Sequence, residues 1–336
     1  MQILIIKLGA MGDVLRMTSI LKPLKKKYPN AHITWVTKKS SVELLESNSL
    51  VDKIVLIGDA LKGRFKGKEF DLVVSFDDER EACSLASQVK SKKLVGAYLK
   101  NGKQTYTEDP APWFDMGLIS KYGKAEADKR KAANKKTYQD IHFSMLGLKN
   151  PQNYPPILIL NENEEKSAKD FVKKHGVGKN DKVIGLNTGA GGRWQDKRLS
   201  VEQTVKLIEK ISKEKRVKLL LFGGPDEEAR NKEIIKKSKM PVIDAGCHNP
   251  IREFAALVDL CSVVVTSDSL AMHIAIALGK NVVAFFYPTS AAEIELYGKG
   301  IKTVAEGRSY CSYQAVCTHP PKWDVDKIAD AAISLL

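Results

Sequence analysis

Cysteine is scarce in this chain, long apolar runs are missing, and aromatic residues make up only 7% of it. Five cysteines among 336 residues exclude a disulfide framework. Cys83 and Cys261 lie among apolar or small neighbours and read as reduced core thiols, which points to a reducing compartment. No segment approaches 18 uncharged apolar residues, so no membrane-spanning helix is expected. The opening MQILIIKLGAMGD has a four-residue apolar run before Lys7, too short for the apolar region of a secretory signal. The expected location is the cytoplasm, with any membrane contact peripheral and at the inner face. Neither a Walker A loop nor a GxGxxG fingerprint is present, which argues against a P-loop nucleotidase and a nicotinamide-dependent oxidoreductase.

Basic residues are abundant. There are 54 Lys+Arg against 40 Asp+Glu, a formal net charge of +14. An anionic partner follows, and nucleic acid, an anionic membrane face and a phosphorylated small molecule all qualify. The low aromatic content and the lack of helix-turn-helix, RNP or zinc-finger patterns leave nucleic acid as the weaker reading.

Length and pattern predict two α/β domains. Short apolar runs at 3–6, 32–37, 52–57, 71–76 and 93–98 alternate with segments of helical period, the signature of βαβ units. One long helix is expected after the first strand, through Tyr28, and another over 41–48. The stretch 101–134 reads as a basic excursion from the sheet. Pro151, Pro155 and Pro156 then mark an extended linker, placing the boundary near residues 148–160. Beyond it, strands at 182–188, 217–223, 262–267 and 281–286 alternate with helices, the last over 325–336. The predicted division is 1–155, 156–320 and a closing helix at 321–336 that packs back across the domains.

In open α/β sheets ligands sit at the carboxyl ends of strands, so four loops matter. In KLGAMGDVLRM, Gly9 and Gly12 precede Asp13, which reads either as a first-turn acid favoured by the helix dipole or as a general base for a hydroxyl. In NTGAGGRWQDKR, Thr188, Gly189, Gly191 and Gly192 make a loop in which backbone can approach an anion, with Lys197 as a mobile charge nearby; a solvated surface loop is the alternative. In FGGPDEE, Asp226, Glu227 and Glu228 start a helix, as capping acids or as ribose ligands. In TSDSLAMHIAIALG, Thr266, Ser267, Asp268 and Ser269 open an apolar helix at what reads as a diphosphate site, while His273 reads as a core residue.

These loops in this order resemble glycosyltransferase family 9, the ADP-heptose:lipopolysaccharide heptosyltransferase family, through LGAMGDVL, NTGA…QDKR, GGPDE, TSDSLAMHIAIALG and VVAFFYPTS. The resemblance implies a GT-B fold, two doubly wound Rossmann-like domains facing across a cleft. It further implies inverting, metal-independent transfer of heptose from ADP-heptose to the inner core of lipopolysaccharide, with no cofactor. Asp13 would be the general base. Thr188, Gly189, Lys197, Asp226 or its neighbour Glu227, Asp268 and Ser269 would hold the donor, Lys197 neutralising the departing diphosphate. Gly12, Arg64, Lys129 and Arg130 are the positions expected to meet a phosphorylated glycolipid acceptor, amid basic clusters at 62–68 and 129–136. Three positions depart from the family pattern: Leu270 replaces the usual glycine, Leu199-Ser200 the usual Trp-Pro, and Tyr287-Pro288-Thr289 the usual Gly-Pro-Thr. A related nucleotide-activated sugar therefore stands as the alternative donor. Cys311, Cys317 and His319 lack the spacing of a structural metal site.

Overall fold

In β1 (Gln2–Ile6), Ile3 and Ile5 leave one face of the strand, Leu4 and Ile6 the other, and all four are fully buried. A strand without polar alternation needs cover on both faces. Ile3 and Ile5 join a cluster with Val14, Ile20 and Trp35, whereas Leu4 and Ile6 pack with Val36, Phe70 and Leu85.

The computed structural model describes residues 1–109, 112–178, 180–191, 194–214, 216–307, 310–311 and 320–336. The chain divides into two units, Met1–Ile159 with Ala292–Glu295, and Leu160–Ala291 with Leu296–Leu336. Among the described residues no helix is long and apolar enough to cross a membrane.

The first unit is built on β1, β2 (His32–Thr37), β3 (Lys53–Leu56), β4 (Glu69–Ser75), β5 (Lys90–Lys100) and β6 (Lys103–Tyr106), in the order β3-β2-β1-β4-β5-β6. All pairs are parallel except β5–β6. The expected excursion thus begins with a sixth strand. Asn101 and Gly102, both at positive φ, turn the chain between β5 and β6, as an Asn-Gly hairpin requires. The single helix expected after β1 is two, Met11–Met17 and Leu21–Lys27, separated by a 3₁₀ turn. Pro23 explains the break, because its ring crowds the carbonyl four residues earlier and only a first turn tolerates it. The helix expected over 41–48 is a 3₁₀ turn, Lys39–Leu44; Asn48 accepts from the amide of Leu50, a local bond that competes with helix.

The second unit contains β7 (Lys182–Asn187), β8 (Val217–Phe222), β9 (Ile243–Asp244), β10 (Val263–Ser267), β11 (Asn281–Phe286) and β12 (Gly300–Val304), all parallel and ordered β12-β11-β10-β7-β8-β9. Its helices start where the caps are. Asn161 with Glu164, and Ser200 with Gln203, form reciprocal capping boxes for Glu162–Lys174 and Val201–Ile211. The closing helix, Val325–Ser334, belongs to this unit and packs on Val201–Ile211 and on β10 to β12.

Numbered from its own first strand, each sheet reads 3-2-1-4-5-6, the doubly wound order. Strand order reverses between β1 and β4 in one unit and between β7 and β10 in the other. Those two switch points are where a ligand crevice is expected.

Candidate functional site

At the first switch point, the turn after β4 reaches the turn after β1. Asp77, buried, accepts from the Lys7 ammonium at 3.1 Å, the Leu8 amide at 2.9 Å and the Gly9 amide at 3.3 Å. Lys7 also donates to the Gly9 carbonyl at 2.6 Å. Burial works against the charge on Lys7, but the Asp77 carboxylate, with smaller help from Asp13 and Tyr138, outweighs it and holds the ammonium above the ordinary lysine range. The turn that delivers Asp13 is therefore pinned by an internal ion pair.

Asp13 lies in the first turn of Met11–Met17, behind an Ala10 N-cap that makes no side-chain cap. Its carboxylate, about a third exposed, meets the Arg16 guanidinium at 3.0 Å, while the Arg16 side chain is 7% exposed. Arg16 in turn lies over the Tyr138 ring, 3.6 Å from its centroid, with Trp113 at 5.6 Å. Tyr138 and His142 share a face of the helix Tyr138–Met145, four residues apart, with ring centroids 3.7 Å from one another. Burial pushes the Tyr138 phenol up to about 12 and drives the His142 imidazole well below its usual range, the latter aided by the charges of Arg16 and Lys7. His142 is thus a neutral ring at pH 7. Gly12, the expected acceptor-side glycine, is buried in the same first turn.

At the second switch point, Asn187 closes β7 and ties three segments together. Its amide donates to the Gly189 carbonyl at 2.8 Å, to the Thr266 hydroxyl at 3.1 Å and to the Ser269 hydroxyl at 3.3 Å. Lys197, buried, donates to the Asp268 carbonyl at 2.9 Å and pairs with its carboxylate at 3.1 Å. Ser269 is the N-cap of Leu270–Ala277 without capping it through its side chain; its hydroxyl lies 3.0 Å from that of Thr266. The first-turn amides of a helix have no partner within it, so this end suits an anion. His273, read from sequence as a core residue, is buried with Nε2 3.8 Å from the Asp268 carboxylate.

The remaining donor-side positions separate. The Thr188 hydroxyl is turned inward, 2.6 Å from the Asn231 carbonyl oxygen and 3.0 Å from that of Phe222. Of the two acids in the GGPDE turn, Asp226 is exposed and Glu227 is buried. Glu227 accepts from the Gly224 amide at 3.0 Å and faces Arg198 at 3.4 Å. A Cβ on Gly189 would stand 2.8 Å from the Glu227 carboxylate, so glycine there lets the two loops close. Leu199, where the resemblance expects tryptophan, is buried in the second core, and its carbonyl accepts from Arg230.

The basic clusters also differ. Lys62, Arg64, Lys66 and Lys68 are all exposed, and among the described residues none has a carboxylate within ion-pair distance. Lys129 and Arg130 both reach Glu126, and Arg130 lies over the Tyr122 ring at 4.0 Å. Cys311 is buried as a free thiol, while Cys317 and His319 lie outside the described residues, as does Gly192.

Of the residues named from sequence, Asp13 lies at the first switch point and Lys197, Asp268 and Ser269 at the second; Arg16, Asp77, Asn187 and Tyr138, gathered beside them, were not named, and His273 was set aside as a core residue. Polar residues closing parallel strands, Asn187 at the end of β7 and Ser75 at the end of β4 with Asp77 two positions on, were the available signal.

Residues 60–320 match the model of glycosyltransferase family 9 (heptosyltransferase). The chain belongs to that family. A lipopolysaccharide core heptosyltransferase, OpsX, from Haemophilus influenzae is 26% identical over 110 residues, 30% of this chain; the chain matches 31% of that relative's length. Among solved structures, a family 9 glycosyl transferase from Veillonella parvula superposes with a TM-score of 0.77 at 20% identity, covering 99% of this chain and 96% of that one. The E. coli ADP-heptose lipopolysaccharide heptosyltransferase II gives 0.66 at 17%, covering 100% and 98%. E. coli heptosyltransferase WaaC with ADP gives 0.61 at 17%, covering 99% and 100%. At these identities the likeness establishes the fold, that of two Rossmann-like domains.

Proposed function

We propose that this protein transfers a heptose from ADP-heptose to the inner core of lipopolysaccharide, with inversion and without a metal. Family membership supports the class of reaction, and the relatives solved with ADP and with an ADP-heptose analogue support the donor. The observation that carries the mechanism is Asp13, a partly exposed carboxylate at the first switch point, held by a buried arginine.

Asp13 takes the proton of an acceptor hydroxyl as that oxygen bonds to the anomeric carbon of the donor. The bond from that carbon to the diphosphate breaks, and its electron pair leaves with ADP. Attack opposite the departing group inverts the centre. Lys197 and the amides opening Leu270–Ala277 receive the charge that develops on the diphosphate, where electrostatic stabilisation counts most. Glu227 is the better placed of the two turn acids for the ribose side, being the one built into the loop contact with Gly189. The acceptor's phosphates meet the exposed cluster at Lys62, Arg64, Lys66 and Lys68, with Lys129 and Arg130 as further contacts, at the inner face of the membrane.

The test pairs a thermal-shift panel of ADP-, GDP-, UDP- and CMP-sugars with transfer of labelled heptose from ADP-heptose to a heptose-free inner-core acceptor. ADP-heptose should stabilise most and yield labelled acceptor. Selective stabilisation by another nucleotide sugar would instead establish the related-donor reading, which the departures at Leu199 and Leu270 favour.

A further inference from the structure

We propose that Arg16, seated on the π-face of Tyr138, is the positioning residue for Asp13, and that the seat is the ring of Tyr138 and not its hydroxyl. The inference builds on the reading of Asp13 as base and goes beyond it, since neither Arg16 nor Tyr138 is among the positions that the family resemblance assigns to donor, acceptor or base.

A guanidinium that is 7% exposed needs a cation-stabilising neighbour. A second carboxylate would supply one but would also compete with Asp13 for the guanidinium. An aromatic face stabilises the charge through its quadrupole and accepts no bond in the guanidinium plane, leaving the guanidinium N–H groups for the carboxylate. Tyr138 fits this role at 3.6 Å from the Arg16 guanidinium. Its hydroxyl, buried, has no hydrogen-bond partner among the described residues, so the phenol's polar end explains nothing about its presence there. The ring is itself fixed. His142 packs against it at a tilt, centroids 3.7 Å apart, Trp113 meets it edge-on at 5.0 Å, and Phe76 backs His142 at 4.2 Å. His142 stays neutral and so adds no positive charge beneath the arginine. Lys7, also a cation of this region, is engaged by Asp77 and the Gly9 carbonyl.

Charged and titratable groups around Asp13 include Arg16, Lys7, Asp77 and Tyr138, and Arg16 pairs with it at 3.0 Å. The test uses Arg16→Met, Tyr138→Leu and Tyr138→Phe in the full chain. Aspartate-selective carboxyl labelling, with the Asp13 resonance assigned by its loss in Asp13→Asn, follows the titration of that carboxylate without any turnover. In Arg16→Met and Tyr138→Leu its midpoint moves to higher pH; in Tyr138→Phe it stays at the wild-type value. In parallel, Tyr138→Leu lowers kcat about tenfold with KM for the donor unchanged, and the phenylalanine restores it. An unmoved Asp13 titration in Tyr138→Leu, or loss in Tyr138→Phe equal to that in Tyr138→Leu, overturns the proposal. Should the wild type transfer no sugar while the titrations still shift as described, the functional reading falls and the Arg16 seat stands.

Discussion

The two units present the same crevice position, a switch point in a 3-2-1-4-5-6 sheet, and furnish it in opposite ways. In the first unit, side-chain charges dominate: Lys7 with Asp77, and Asp13 with an arginine set on packed aromatic rings. In the second, backbone and hydroxyl groups are gathered by Asn187 and Gly189 beside the Lys197–Asp268 ion pair. A topology dictates where loops converge and leaves open what they do. A carboxylate aimed by a buried cation suits proton transfer, whereas helix-end amides with a lysine suit a diphosphate.

Variants that strike one unit should leave the other's task intact. The largest effect is expected at Asp13→Asn, which keeps shape but removes the base; kcat should fall about 10³-fold with the donor's KM unchanged, measured by steady-state transfer. Next is Lys197→Ala. It removes the cation and leaves the Asp268 carboxylate facing the anion site, and calorimetry should show ADP binding weakened by about 2 kcal/mol. Gly189→Ala should destabilise the second unit by about 1–2 kcal/mol in denaturant unfolding, because the new methyl group must displace the buried Glu227 carboxylate.

The smallest effect concerns pH. His142 has its folded pKa depressed, so the unfolded chain binds the proton first as pH falls below about 6.5. Its contribution is therefore intact above that value and is lost as pH falls toward the folded pKa. Wild type should lose about 1 kcal/mol more than His142→Phe between pH 7.5 and 5.5, read from unfolding midpoints at the two pH values.

Much of this fold was legible because parallel strands buried on both faces announce themselves as apolar runs, as in Ile3–Ile6 and Val263–Val265. Of the edge strands, β3 was read in the run 52–57, but two others were not. KQTY in β6 and GIKTV in β12 each pair on one side only, and their mixed polarity hides them, although Asn101-Gly102 marked the turn into β6. At the sites, the loops stood out through their glycines and acids, but the partnerships did not. Arg16 is 122 positions before Tyr138, and Asp77 is 70 after Lys7, distances that only the strand order resolves. Thr188 shows the opposite limit, since a threonine in a glycine loop suggests a ligand donor while its hydroxyl is in fact committed to the Phe222 and Asn231 oxygens.

The central claim is a division of labour between the two switch points, and the most direct measurement is a calorimetric titration of ADP onto the Asp13→Asn protein. The account predicts the wild-type affinity in a protein that no longer transfers sugar. Loss of ADP affinity in that variant would contradict it.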